Sequence, residues 1–526
     1  MWRSKSILVS IALVFTLIVG CSSNNGNNSA SPSTNNSPSA SNKPAEKPAD
    51  DKPVEIRMLK PGSPGDSPEI PRVEKAIEDS FYESTGIRID LKLEFYDWDV
   101  LEQKYTLDIA SGKAADFGRF PNNLFFKFYD KGYFQPIGDV MKAHAPNLFK
   151  QMSKEEIEAG YYKGEMAGVP LGGFPINYIM VIRQDKLDAL GLQMPKTVAD
   201  FENVMAAYKK AYPNEYPLHG VWFGYSKVIN ALNGITNFAG SGKGFVMKPD
   251  GTVTSYFMHD NIEKYNEMAN RWYKNGWVSP DYLTIGDESE AEFIKDSGLA
   301  IINYHANGLE NVEQTASSIN PNAKGAVVPN LQADWGIKTA PFDGYNSEGY
   351  IGISKTVSPE KAEIIAKLIN WELDSLENFM MGKRGQLGID WDYVDKPNRI
   401  LDKLPKWKED GANGYSWEHW MINRAVFSDE ISFQVAGEAK GYEQILDYIQ
   451  SAQFTEDPML KTPYLPLGDL AAKVDELNVK LGFLQSQIVV GKRPLSDWSE
   501  AKKIWEDGGG LELEKQITEI YKSMTE

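Results

Sequence analysis

Five histidines stand at positions 144, 219, 259, 305 and 419, and no two share the short helical spacing that presents a zinc pair. No G-x-S-x-G elbow offers a nucleophilic serine. The run "AGSGKG" at 239–244 has the glycines of a phosphate loop. It lacks the leading glycine at the right distance and the Ser or Thr that should follow Lys243, so it reads as a flexible loop. A glycosidase acid pair is defined by spatial separation, so the 73 Asp and Glu residues leave that chemistry open. "WEHW" at 417–420 sets Glu418 and His419 between two tryptophans, an arrangement that two packed indoles and a solvated polar pair also explain. With no catalytic motif, the conspicuous chemistry is aromatic. The 13 Trp, 25 Tyr and 23 Phe can supply a core and still leave rings to stack on flat ligand faces.

Such rings need rigid elements beneath them. "GIRIDLKLEFY" puts Ile87, Ile89, Leu91, Leu93 and Phe95 on one face at period two, which predicts a strand. Before it, Val73, Ile77 and Phe81 recur at helical spacing, and Gly86 closes that helix. Thr197 and Asp200 form a capping pair ahead of the stripe Phe201, Val204, Met205 and Tyr208. Ser358 and Pro359 open another helix, and Asp250-Gly251 predicts a hairpin turn. No internal repeat is present. Helices and strands alternate along most of the chain, which predicts α/β lobes with mainly parallel sheets. A folded body from about Pro53 to Glu526 is too long for one core, so two lobes are expected.

The single cysteine, Cys21, cannot form an internal disulfide. It follows Arg3, Lys5 and an apolar run from Ile7 to Val19, the pattern of an export signal and too short for a membrane span. Ile18-Val19-Gly20-Cys21 resembles the lipobox of bacterial lipoproteins, which implies cleavage after Gly20 and a diacylglyceryl group on Cys21. Two acyl chains suffice for stable anchoring. From Ser22 to Asp50 there is no aromatic residue and no Val, Ile, Leu or Met. Such a stretch cannot offset the entropy of ordering itself and reads as a leash reaching roughly 30 Å. A net charge of −18 argues against a nucleic-acid partner.

Longer segments resemble a family. "TLDIASGKAADF" is similar to an "ASGDxPD" segment, with Lys113-Ala114-Ala115 departing and Asp116 kept. "YDKGYFQPIGDVMKAHAPNL", "GEMAGVPLGGFPINYIMVIRQDKLDALGLQMPKT", "GQLGIDWDY" and "GKRPLSDWSEAKKIWEDGGGLELEKQITEIY" follow in matching order. Together with the lipobox they resemble the family 1 extracellular solute-binding proteins of carbohydrate ABC importers, in the lipoprotein branch of Gram-positive bacteria. The resemblance covers nearly the whole mature chain.

The resemblance implies an α/β, two-lobed periplasmic-binding-protein-like fold with a hinge and an interlobe ligand cleft. It divides the chain into a signal peptide (1–20), a lipid-anchored disordered linker (21–52), an N-terminal lobe (53–172 plus about 348–425) and a C-terminal lobe (173–347 plus about 426–526). Crossings are expected near Gly172, Gly349 and residue 425. Where the family places its cleft loops stand Arg119, Asn122, Asn123, Phe174, Asn177, Trp222, Tyr225, Tyr304, Trp335, Tyr345, Trp417 and Trp420. Sugar rings offer an apolar face to aromatics and a hydroxyl rim to Asn and Arg. The implied partners are a carbohydrate, permease subunits and, through the lipid alone, the membrane; a monomer without cofactor is expected. Alginate-oligosaccharide binders of this branch carry an acidic calcium loop after the helix that here ends in "KKAYPNEYPLHG". Asn214 and Glu215 provide too few hard ligands, so no metal is expected there, and a uronate ligand does not transfer with the resemblance. A surface glycoside hydrolase or lyase, and a receptor for a peptide or other nutrient, are the alternatives.

Overall fold

The structure is a computed structural model and describes residues 52–62, 69–171, 178–220, 244–248, 250–281, 292–293, 295–305, 316–328, 331, 347, 349–406, 434–435, 444 and 464–525. Lys52–Glu526 forms one compact unit. Within it, nine strands build the two main sheets: β1 (Val54–Pro61), β2 (Ile89–Tyr96), β3 (Phe117–Pro121), β4 (Val169–Pro170), β5 (Tyr178–Arg183), β6 (Leu218–His219), β7 (Ala300–His305), β8 (Gly325–Val327) and β9 (Gly349–Ile353).

The first sheet has the order β2-β1-β3-β9-β4 and the second β8-β5-β7-β6. β1 lies parallel to β2 over eight residue pairs, Val54↔Ile89 through Pro61↔Tyr96, and parallel to β3 on its other side. The helix Ile70–Thr85 connects β1 to β2; it buries Val73, Ile77 and Phe81 and stops at Gly86, whose φ of 70° is the left-handed cap. That helix also ties down the sheet's outer strand: Glu78 and Glu74 accept the Leu91 and Leu93 N–H groups at 2.8 and 3.0 Å. An outer strand held in this way offers fewer open donors to another chain.

Mainly parallel sheets were the expectation, and here the structure differs. β9 runs antiparallel to both β3 and β4, and β5 runs antiparallel to both β7 and β8. β5 follows directly on the passage out of the first sheet and β9 on the passage back. A strand entering from the side where its neighbours end must run against them. One reversed strand per sheet is the topological consequence of the crossing.

Each sheet has its own core. Ile56, Met58, Leu91, Phe117, Ile351 and Ile353 join Ile365, Leu368, Ile369 and Trp371 from the helix Pro359–Glu372. That helix starts as its sequence predicts, with Ser358 accepting the Lys361 N–H and Pro359 in the first turn. The second core joins Ile182, Leu218 and Ala300 to Phe201, Met205 and Tyr208 and to the C-terminal helices Leu470–Val489, Ser499–Asp507 and Gly510–Thr525. Thr197 and Asp200 form a full capping box on the helix Val198–Ala211. The hairpin pairs Phe245–Met247 with Val253–Ser255 around Gly251, whose φ is 83°.

Candidate binding edge

The chain leaves the first sheet after β4 and returns to it at β9, and these two strands are neighbours. Tyr350 pairs with Pro170 and Ile351 with Val169. Beyond the ladder, Leu171 N–H donates to the Gly349 carbonyl at 3.0 Å and to Ser347 Oγ at 2.9 Å, while the Ser347 hydroxyl donates to the Gly349 carbonyl. Outgoing and returning segments are thus bound to each other at the rim of the sheet. Gly349 is required there, since a Cβ would lie 2.3 Å from the Phe120 carbonyl oxygen.

That rim is also where β1, β2 and β3 end, and open α/β sheets bind ligands at the carboxyl ends of their strands. Met58 pairs with Phe117 and Leu59 with Gly118. Strand alternation then sets Lys60 and Arg119, each two residues further on, side by side on one face. Both are almost fully buried, at 2% and 5% exposure. Lys60 also lies 5.7 Å from the centre of the Phe95 ring. Pro121 turns the chain into the helix Asn122–Asp130, with half-buried Asn122 in its first turn.

The other face of the same strands carries a separate aromatic core of Phe120, Phe125, Phe126, Phe128, Phe134, Tyr105 and Tyr350. Phe120 lies 4.7 Å from Tyr105 and 4.9 Å from Phe134, centre to centre, and Phe125 stacks on Tyr350 at 5.1 Å. Burial holds the Tyr350 phenol above the usual range, so it stays protonated. These rings are a floor beneath the rim. Offset and tilted packing of this kind makes that floor rigid.

The second sheet places its charges elsewhere. Arg183, fully buried at the far end of β5, bonds Asp185 through two nitrogens at 2.8 and 2.7 Å and also reaches Asp296. Burial opposes its charge, yet those two carboxylates raise its pKa overall. Lys186 donates to the carbonyls of Asp296 and Gly298 at 2.7 and 2.9 Å, and burial lowers its pKa. The segment expected to hold no metal is tied by side chains. Tyr208 O–H donates to Glu215, Gly298 N–H donates to the same carboxylate at 3.0 Å, and Lys209 donates to the Glu215 carbonyl at 2.8 Å. Among the described residues no group of three His, Cys, Asp or Glu side chains is arranged to hold a metal.

Of the residues singled out in the sequence, Arg119 and Asn122 meet at this rim. Asn123 is placed by its backbone in the same first helical turn. Tyr304 is placed by the backbone of β7, opposite Ile179 and next to a register irregularity. Cys21, Phe174, Asn177, Trp222, Tyr225, Trp335, Tyr345, Trp417 and Trp420 lie outside the described residues, as do Gly172 at the first expected crossing, the expected crossing near 425, "WEHW" and most of "AGSGKG". Lys60 was missed. Its only signal is a lysine next to last in an apolar strand, immediately before "PGSPG".

Residues 76–371 match the family described as bacterial extracellular solute-binding protein. The chain belongs to that family. Lipoprotein LipO of Bacillus subtilis (strain 168) is 22% identical, with 99% of each chain covered. The fructooligosaccharide ABC transporter substrate-binding protein FusA of Streptococcus pneumoniae is 32% identical over 28% of this chain and 30% of its own. Among solved structures, the N-glycan transport solute-binding protein NgtS of Streptococcus pneumoniae superposes with a TM-score of 0.68 at 14% identity, covering 90% of this chain and 99% of the other. The solute-binding family's two-lobed fold accounts for the two sheets, their separate cores and the paired crossing strands.

Proposed function

We propose that this solute-binding protein captures an oligosaccharide in the cleft between its lobes and delivers it to the permease of an ABC importer. The observation that carries this reading is the rim of the first sheet, where Lys60, Arg119 and Asn122 gather beside the strands that link the two sheets. All three side chains carry N–H donors of the kind that sugar hydroxyls accept, and the Arg guanidinium is a planar fork. The fructooligosaccharide and N-glycan functions named for FusA and NgtS support the same ligand class. A ligand touching both lobes stabilises the closed arrangement by the difference in its affinity for the two states.

The lobe boundaries proposed are those of the sequence reading: 53–172 with about 348–425, and 173–347 with about 426–526. In the same reading Cys21 carries the lipid, residues 21–52 form the tether, and a monomer stands on the outer face of the cell membrane. Tethering keeps the receptor at high effective concentration beside its permease. The protein binds without turnover.

A thermal-shift screen against an oligosaccharide panel tests the ligand class. A binder at a hundredfold its Kd stabilises the fold by about 2.7 kcal/mol. No shift with any sugar, together with a shift on a peptide panel, replaces this reading with a nutrient receptor of another kind. Release of reducing ends at equimolar protein would replace it with a hydrolase. Cys21→Ala should leave an intact precursor that no longer takes up labelled palmitate.

A further inference from the structure

Seven tryptophans lie among the described residues. Trp272, Trp277, Trp371, Trp391, Trp498 and Trp505 are buried, none above 8% exposure, whereas Trp98 is 54% exposed. Single exposed apolar side chains are common on protein surfaces, so it is the place of this indole in the fold, with its flat face open to stack on a ligand, that carries meaning. No hydrogen bond, ring contact or cation contact engages its side chain among the described residues.

Its position is specific. Trp98 sits in the turn between β2 and the helix Leu101–Ser111, at the carboxyl end of β2, on the same rim as Lys60 and Arg119. The turn is held. Gly62 N–H at the end of β1 donates to the Tyr96 carbonyl at 2.8 Å, and Val100 N–H to the Asp97 carbonyl at 3.1 Å. Below it, the Tyr96 hydroxyl donates to Asp108 and the Lys104 ammonium lies 3.7 Å from the Tyr96 ring centre. Gly62, with φ 113°, adopts a conformation that favours glycine, and the Trp98 Nε1 lies 4.0 Å from where its Cβ would be. An exposed flat ring on a pre-formed turn loses little freedom when a ligand stacks on it. β2 is the outer strand of the first sheet, three strand spacings from the returning strand β9. At the usual spacing that is about 14 Å along the rim, a span that calls for several linked sugar rings.

We propose that Trp98 is the stacking face of a distal subsite. It takes the apolar face of a sugar ring in an oligosaccharide laid along the carboxyl rim, from the hinge strands past Arg119 and Lys60 to the end of β2. This rests on the receptor reading above and adds to it a length requirement and a residue that reads it.

The test measures affinity by calorimetry for wild type, Trp98→Ala and Trp98→Phe over homologous sugars, from mono- to hexasaccharide, of whichever series the wild type binds. Wild-type affinity should rise with chain length. Trp98→Ala should lose roughly tenfold or more on the longer members and nothing on the shortest, with Trp98→Phe restoring most of the loss. The exposed side chain predicts an unchanged melting temperature for both unliganded variants, so loss of fold does not enter. Equal losses at every length would place Trp98 in the primary site and overturn the distal assignment. Unchanged affinity with impaired uptake by cells would assign the indole to permease contact and also overturn it. Wild type that binds no member of any series would remove the receptor reading itself, a separate outcome from the other two.

Discussion

Two pairs of buried cations sit at opposite edges of their sheets. Lys60 and Arg119 lie where the parallel strands of the first sheet end, beside the crossing strands. Arg183 and Lys186 lie at the far end of β5, level with the start of β7, because β5 runs against its neighbours. Burial is similar in the two pairs. Arg183 is clamped by Asp185 and Asp296, and Lys186 is spent on backbone carbonyls that close the turn before β7. The comparison teaches that burial alone does not mark a binding charge. In the proposed function, position beside the paired strands β4 and β9 does so instead.

Arg183→Ala should break the fold side of this comparison and has the largest expected effect. It removes the guanidinium that bridges Asp185 and Asp296 and leaves Asp296 to the more distant Lys186, at 3.8 Å, a loss of about 3–5 kcal/mol when one partner of a buried pair is removed. Chemical denaturation should report that loss while the sugar affinity of the folded fraction stays unchanged. A variant as stable as wild type would show that the clamp is not structural.

Arg119→Ala should do the reverse. Removing a charged donor from the rim should weaken sugar binding by about 1.5–3 kcal/mol, the usual range for hydrogen bonds to charged groups. Its cost to stability should be smaller than that of Arg183→Ala. Calorimetric affinity and melting temperature, measured on both variants, should therefore rank them in opposite orders. The same order in both measurements would dissolve the distinction between the two edges.

How far the sequence anticipates this depends on whether the signal is local. The capping box at Thr197 and Asp200, the Ser358-Pro359 helix start and the stop at Gly86 follow from hydrogen bonds within a few residues, and all three were legible. The alternation of Ile89 and Leu91 identified β2, but not that β5 and β9 run backwards. Strand direction depends on where the chain re-enters a sheet and leaves no mark on the strand's own composition. Lys60 and Trp98 were illegible for a related reason. A lysine near a strand end normally reads as solvated, and a tryptophan in "YDWDV" normally reads as core. Only tertiary neighbours buried the first and left the second in water. Arg119 entered the candidate set through family resemblance, and its burial could not be read from "DFGRFPNN".

The smallest expected effect concerns the lateral edge that carries Trp98 at its end. Glu74 accepts the Leu93 N–H and helps hold β2, yet burial outweighs that bond and raises its pKa above the usual carboxylate value. A group with a higher pKa folded than unfolded binds its proton more tightly in the native state. Its contribution to stability is therefore fully present below the unfolded value of about 4.3 and is lost as pH rises through the folded value. Glu74→Gln keeps an acceptor for Leu93 and cannot ionise. Relative to wild type it should gain stability as pH rises from 4 towards 7, and the gain should level off once Glu74 is ionised in both states. Denaturant titrations at intervals of half a pH unit, on both proteins, give that difference directly. A flat difference across the range would mean that β2 carries the Glu74 charge at no cost, and that the turn bearing Trp98 is held as firmly at neutral pH as at pH 4.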